Sequence, residues 1–216
     1  VTPYGYALVP DPTGTAPSPM VERFEVRHGD CHQNRAWNDC EKDRERSELK
    51  VEGLRSPEGT EAWYGWSFYL PHDWPDIWPT KTVLGQFHQV NSHPVWMFLQ
   101  KGGLVLDDQT KGRTSRLIEL IPASALRGRW HRVEIQAKWR RDGEGLFRVW
   151  VNGDKKVDWT GPTMTAETVY FRFGVYRSFV SRYLKSTEAS TVPGQTAYFA
   201  NVRKAKTRDG LRPTGN

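Results

Sequence analysis

Tyr170-Phe171-Arg172-Phe173-Gly174-Val175-Tyr176 alternates apolar and polar side chains with a period of two. An extended strand sends successive side chains to opposite faces. Phe171, Phe173 and Val175 therefore form a core face, while Arg172 and Tyr176 share the other, with Gly174 between them expected to leave open space above the strand. The same alternation recurs in short stretches bounded by Gly, Pro, Asn and Asp: 21–27, 45–51, 62–70, 83–90, 95–100, 130–139, 146–151 and 196–202. Asn152-Gly153 lies between two short extended runs, the strongest short-range hairpin signal. Helical candidates are brief, Ala123 to Leu126 after Pro122 and part of the segment from Val180 to Lys185. Many short strands with turns at this spacing predict an all-β fold, a jelly-roll sandwich of two antiparallel sheets.

The chain has 216 residues, the size of one substantial domain. Residues 1–20 contain Pro3, Pro10, Pro12, Pro17 and Pro19 and read as an irregular lead-in lying across the domain. The sandwich is expected over 21–203, and 204–216 as a solvated tail. Ten Trp, eight Tyr and nine Phe among 37% hydrophobic and 26% charged residues mark a globular, aromatic-rich chain. No apolar run approaches the roughly 20 residues of a membrane-spanning helix. The start at Val1 lacks a basic and then apolar leader, so an exported protein is expected here in its mature form. A net charge of +6 favours a polyanionic partner or serves solubility. Cys31 and Cys40 flank Trp37 in a polar loop and read as a short-loop disulfide of an oxidising compartment, with two free thiols as the alternative. Structural zinc is not expected from two Cys without a CxxC spacing.

Three further strands carry dense polar faces. Arg46, Glu48 and Lys50 alternate with Ser47, Leu49 and Val51; Gln86 and His88 flank Phe87; Arg132, Glu134, Gln136 and Lys138 alternate with Val133, Ile135 and Ala137. Polar residues opposite a core face ordinarily meet water. Brought together on one sheet, they line a groove with Arg, Lys, Gln, His and Tyr. That set suits β-elimination on a uronic-acid polysaccharide. The proton leaves the carbon beside the sugar carboxylate, so cationic or amide donors such as Arg46, Arg172 and Gln86 must hold that carboxylate and absorb developing charge. A base removes the proton and an acid protonates the departing glycosidic oxygen, with His88 and Tyr176 as candidates. A phenolate base needs nearby positive charge, which Arg172 is placed to supply. The chemistry requires no cofactor.

Arg46-Ser47-Glu48-Leu49, Gln86-Phe87-His88 and Tyr170-Phe171-Arg172-Phe173-Gly174-Val175-Tyr176 resemble the three signature strands of the jelly-roll polysaccharide lyases, RxEL-like, QxH-like and YFKxGxY-like in the family 7 alginate lyases. The wider pattern is similar to the heparin lyase I-like group, near the glucuronan lyases. It includes Phe24-Glu25-Val26-Arg27-His28-Gly29-Asp30-Cys31, Asn38-Asp39-Cys40 and Phe173-Gly174-Val175-Tyr176-Arg177-Ser178. The resemblance spans residues 21 to 203 and implies a concanavalin-like jelly roll, secretion or a periplasmic location, and an acidic polysaccharide as partner. It implies His88 and Tyr176 as the proton-transfer pair, with Gln86, Arg46 and Arg172 on the carboxylate. Lys50, Glu48, Gln136, Lys138, His93 and Arg177 are the expected substrate-binding residues. Position 172 is Arg where alginate lyases commonly have Lys, which keeps charge and changes geometry. Glucuronan-like material is the first substrate, then alginate, then heparin or heparan sulfate, whose lyases carry insertions this chain is too short to hold. Some relatives hold a structural calcium ion; Asp107-Asp108 is the acidic pair to consider. A monomer is expected, with neither nucleic acid nor membrane as partner.

Two other classes compete. A glycoside hydrolase on the same sandwich would use Glu41-Lys42-Asp43-Arg44-Glu45 as an acidic strand, although Lys42 and Arg44 occupy positions that should be buried. A non-catalytic lectin-like module would use the basic face only to bind, with no need for the His88 and Tyr176 pair. Among remaining features, His72 and His131 read as structural histidines, and His93 as substrate contact or turn residue. Trp74, Trp78 and Trp96 are core or loop anchors that could otherwise stack on sugars. Arg177 and Arg182, with Tyr183 and Lys185, either lengthen a polyanion groove or solvate a loop.

Overall fold

The computed structural model describes residues 3–33, 37–50, 55–112 and 116–212. Two antiparallel sheets pack face to face. The outer sheet runs in the order β1 (Tyr6–Pro10), β2 (Met20–Val26), β14 (Gln195–Ala205), β5 (Glu61–Tyr69), β10 (Trp130–Lys138), β11 (Leu146–Val151) and β12 (Asp154–Thr160). The cleft sheet runs β3 (Arg44–Lys50), β13 (Thr168–Ser178), β6 (Lys81–Gln89), β7 (Trp96–Lys101), β8 (Gly103–Asp108) and β9 (Arg116–Ile121), with the short β4 (Ser56–Pro57) also paired to β13. The helices are α1 (Ala123–Leu126) and α2 (Val180–Thr187).

Period-two alternation builds the core between the sheets. Val169, Phe171, Phe173 and Val175 of β13 face it together with Phe87, Trp96 and Phe98, and meet Phe24, Trp66, Val133, Ile135 and Phe147 from the outer sheet. Trp96 stacks on Phe147 across the interface at 4.1 Å, and Trp66 meets Phe98 edge-on at 4.9 Å. Each such ring contributes roughly 1.5–3 kcal/mol through burial. Trp74 and Trp96 are buried core members, whereas Trp78 stays exposed beneath Lys101. At the Asn152-Gly153 turn both residues have positive φ, 52° and 92°, the backbone of a type I′ hairpin joining β11 to β12. Asn152 also contacts the Nδ1 of buried His131, whose Nε2 reaches the carbonyl of Leu126, so His131 is structural.

Three sequence expectations change. The lead-in is not wholly irregular: Tyr6–Pro10 pairs with β2 and ends the outer sheet as an edge strand, where proline is tolerated. The tail is not simply solvated, because Arg208 pairs with Glu134 and fully buried Leu211 packs where Gly65 has no side chain. Gly174 does not leave open space. A Cβ there would lie 2.4 Å from the Ser47 carbonyl oxygen and 2.8 Å from the Glu48 Cα, at a φ of +132°. Glycine is required at 174 because β3 and β13 approach closely beside a bulge in the β13–β6 register between Phe173 and Tyr176.

Candidate active site

The register of the cleft sheet assembles the site. Arg172 lies between Lys50 of β3 and Gln86 of β6, Tyr170 lies opposite His88, Gly174 opposite Glu48, and Tyr176 opposite Arg46. Arg46, Glu48, Lys50, Gln86, His88, His93, Tyr170, Arg172 and Tyr176 thus line one cleft of about 1550 Å³. Alternation continues past the bulge, with Val175 in the core and Tyr176 on the cleft face, against a small apolar floor of Val83, Met97 and Leu99.

Glu48 sits at the centre, with its side chain 2% exposed. It accepts from Arg172 Nη1 at 3.1 Å and from Gln86 Nε2, and Arg46 Nη1 lies 3.4 Å away. Its carboxylate, expected to meet substrate, is instead taken up by these three side chains. Arg46 is further gripped by Asp39, buried in the loop before β3, through bonds of 2.6 and 2.7 Å. The guanidinium lies over the Tyr176 ring at 4.5 Å from its centroid. Two groups in this cluster are buried without a protein partner among the described residues, the Gln86 Oε1 and the Arg172 Nε. Orphaned polar atoms of this kind at a cleft are places for a ligand.

His88 Nδ1 is 2.8 Å from the carbonyl oxygen of Gln89, which only accepts, so Nδ1 carries the proton and the lone pair is on Nε2. Tyr170 Oη lies 3.1 Å from the same nitrogen and its ring stacks on the imidazole. Burial, reinforced by Arg172 and Arg46, lowers the His88 pKa to about 4 despite the Gln89 bond. His88 is therefore a neutral acceptor near pH 7. Burial raises the Tyr176 pKa above its ordinary value and outweighs Arg44 and Arg46, so the phenol is protonated. The cation expected beside Tyr176 is a different one: Arg172 is turned to Glu48, and the guanidinium against the Tyr176 ring is that of Arg46.

The sequence-derived substrate residues divide. Lys50 reaches the cleft with its ammonium 5.0 Å from the Tyr170 centroid, and exposed His93 lies on the rim. Gln136 and Lys138 do not join them. They sit on β10, in the outer sheet, where Gln136 bonds to Glu61 and Arg148, because alternation fixes a strand's faces without saying to which sheet it belongs. Arg177 is also displaced: it is fully buried, with Nη1 on the Pro193 carbonyl and Nη2 2.5 Å from Glu45. That pairing also disperses the acidic run proposed for a hydrolase. Glu45 is turned to Arg177 and His28, while Asp43 caps the backbone of Ser181. Asp39 enters the sequence reading only within Asn38-Asp39-Cys40, with no role, since nothing in a polar loop marks one acid for an arginine seven residues on. Cys31 and Cys40 form the disulfide that closes this loop.

Among the described residues no group of three or more His, Cys, Asp and Glu side chains is placed to hold a metal ion. Asp107 is engaged by Lys81 and Gln109, and Asp108 by Thr110, with Arg116 3.9 Å away. Among the same residues no helix is long and apolar enough to cross a membrane.

Solved structures with this architecture carry the comparison further. An endo-β-1,4-glucuronan lyase from the fungus Trichoderma reesei superposes with a TM-score of 0.69 at 18% identity, covering 98% of this chain and 90% of that one. A polysaccharide lyase family 18 structure, aly-SJ02, gives 0.55 at 14% identity over 93% of each chain. The alginate lyase AlyC3 in complex with dimannuronate gives 0.53 at 12% identity over 85% of this chain and 90% of that one. At such identities the likeness is one of fold. No curated protein matches the sequence. The family model described as polysaccharide lyase matches residues 6–203, nearly the whole sandwich and every strand of the cleft, and on that match the chain belongs to the polysaccharide lyase family.

Proposed function

We propose that the cleft cleaves an unsulfated polyuronate by β-elimination, with His88 as base and Tyr176 as acid. The observation that carries this reading is the convergence of five side chains on one cleft: His88, whose Nδ1 is engaged by the Gln89 carbonyl so that Nε2 is left as the acceptor, Tyr176 beneath Arg46, and Gln86 and Arg172 beside Glu48. His88 takes the proton beside the carboxylate, the C–H electron pair becomes the new C=C bond, the C–O bond to the departing sugar breaks, and Tyr176 protonates that oxygen. Solvent then restores both groups. Arg172, Gln86 and Arg46 hold the substrate carboxylate and stabilise the charge developing on it.

Electrostatics support an anionic substrate: Arg46 and Arg172 are opposed by Asp39 and Glu48, while Arg44, Lys50, Lys81 and Arg182 add positive charge along the same cleft. Glucuronan-like polymer is the first choice, in line with the glucuronan lyase among the structural neighbours, alginate the second, and heparin or heparan sulfate the last. The chemistry needs no cofactor in this reading, and a structural calcium ion is outside it. The disulfide fits a secreted or periplasmic monomer.

The test is to incubate the protein with polyglucuronate, alginate and heparan sulfate and follow the ultraviolet absorbance of the unsaturated uronate. The expected result is a rise with polyglucuronate first. Reducing ends released without that chromophore would point to the hydrolase, and binding without cleavage to the lectin-like module.

A further inference from the structure

We propose that Phe179 and Arg182 form a sugar-binding subsite on the Tyr176 side of the cleft, where an aromatic face and a guanidinium together take a uronate residue flanking the scissile bond. The proposal rests on the reading of the cleft as a polyuronate lyase site. Phe179 follows the end of β13, three positions beyond Tyr176, and both residues line the cleft. The residue is 37% exposed.

The backbone conformation is the unusual feature. Phe179 has φ 60° and ψ 48°, a left-handed geometry unfavourable for a bulky side chain. The surroundings hold it there. Its N–H donates to the Asp43 carbonyl at 2.9 Å, its own carbonyl accepts from buried Thr80 Oγ1 at 3.0 Å, and the Asp43 carboxylate receives Ser181 N and Oγ at 2.9 and 2.7 Å. Folding gains little from phenylalanine at this point, since glycine takes the turn without strain and a polar residue exposes no ring to water. Strain maintained by neighbours at a cleft edge indicates a side chain set for a ligand.

Arg182 completes the pair. Its guanidinium lies 4.0 Å from the Phe179 centroid, and among the described residues no carboxylate is within ion-pair distance of it. Stacking on the ring aligns the guanidinium without neutralising it. A uronate offers matching groups, the C–H face of its ring to Phe179 and its carboxylate to Arg182, whereas a neutral glucan offers only the first.

The experiment compares Phe179→Gly, Phe179→Trp and Arg182→Gln with the unaltered protein on polyglucuronate and alginate. Phe179→Gly and Arg182→Gln should each raise KM roughly fivefold to tenfold, with a smaller change in kcat. Phe179→Trp should keep KM near that of the parent. Phe179→Gly should also melt at a higher temperature than the parent, because glycine enters positive φ freely. A KM unmoved in both Phe179→Gly and Arg182→Gln would overturn the subsite. If the parent cleaves no polyuronate, the functional reading fails separately. The subsite is then judged by migration through gels containing polyglucuronate or alginate: retardation of the parent that weakens in both variants supports it, and equal migration overturns it.

Discussion

Arg46 and Asp39 meet edge to edge, Nη2 to Oδ1 at 2.6 Å and Nε to Oδ2 at 2.7 Å, with the carboxylate buried and the guanidinium laid over the Tyr176 ring. Through this pair a surface loop closed by a disulfide governs an arginine of the cleft. The bidentate grip fixes the plane of the guanidinium, and thereby the face it turns to Tyr176.

Asp39→Asn should lower kcat/KM by about tenfold or more and destabilise the fold by roughly 1–3 kcal/mol, since the charge-assisted bonds to Arg46 are weakened while Glu48 still opposes its charge. Denaturant unfolding and initial rates on polyglucuronate check both. A positioning role further predicts that reducing the Cys31–Cys40 disulfide lowers activity in the parent protein and much less in Asp39→Asn.

His88→Ala and Tyr176→Phe should each reduce kcat on the order of a hundredfold with the fold intact, the usual scale for losing a proton-transfer group. Tyr176→Phe retains the ring beneath Arg46, so its melting temperature should remain near the parent's. Near-parental rates in both variants would contradict the assignment.

The pH dependence follows from burial. Activity should fall on acidification as His88 gains its proton at about pH 4, and on the alkaline side only as Tyr176 ionises above its ordinary value near 10. Stability has the same sign on the acid side. With the folded His88 pKa below the unfolded 6.5, the unfolded chain binds more protons between about 6.5 and 4, so stability present above that window is lost as pH falls through it. An activity limb centred near 6.5 would contradict a buried neutral His88; stopped assays across buffers of constant ionic strength distinguish the two.

Gly174→Ala should cost several kcal/mol, on the order of 3 or more, or prevent folding, because a methyl group would meet the Ser47 carbonyl at 2.4 Å in a backbone conformation hostile to alanine. Thermal melting and the yield of folded protein report it. Gly112, whose added Cβ meets nothing within 4 Å, is the control for positive φ alone.

Much of the fold and most of the site were legible in the sequence for one reason: period two declares which side chains share a face. Arg172 and Tyr176, Gln86 and His88, and Arg46, Glu48 and Lys50 all sort correctly, and β11 has the bounds its alternation gives; Tyr170, on the same face, went unnamed. Period two is silent on which strands are neighbours, and so Gln136 and Lys138 fell to the wrong sheet. The stretches that became β8 and β9 showed too little alternation to be named, and β1 was hidden by prolines whose missing N–H groups an edge strand tolerates. Arg177 has the parity of Phe173 and Val175, so the alternation itself turns it inward, where Glu45 of the neighbouring strand pairs with it; its charge, not its place in the strand, suggested the cleft. Val51, read as a core partner of Leu49, lies outside the described residues. Asp39 and the left-handed Phe179 depend on long-range contacts that no local pattern encodes.

The most direct test of the central claim is the mass of the oligosaccharides released from polyglucuronate. Elimination predicts a new non-reducing end one water lighter than a saturated uronate, formed by the parent protein and nearly absent with His88→Ala. Products carrying the added water, or light products formed equally well without His88, would contradict the account.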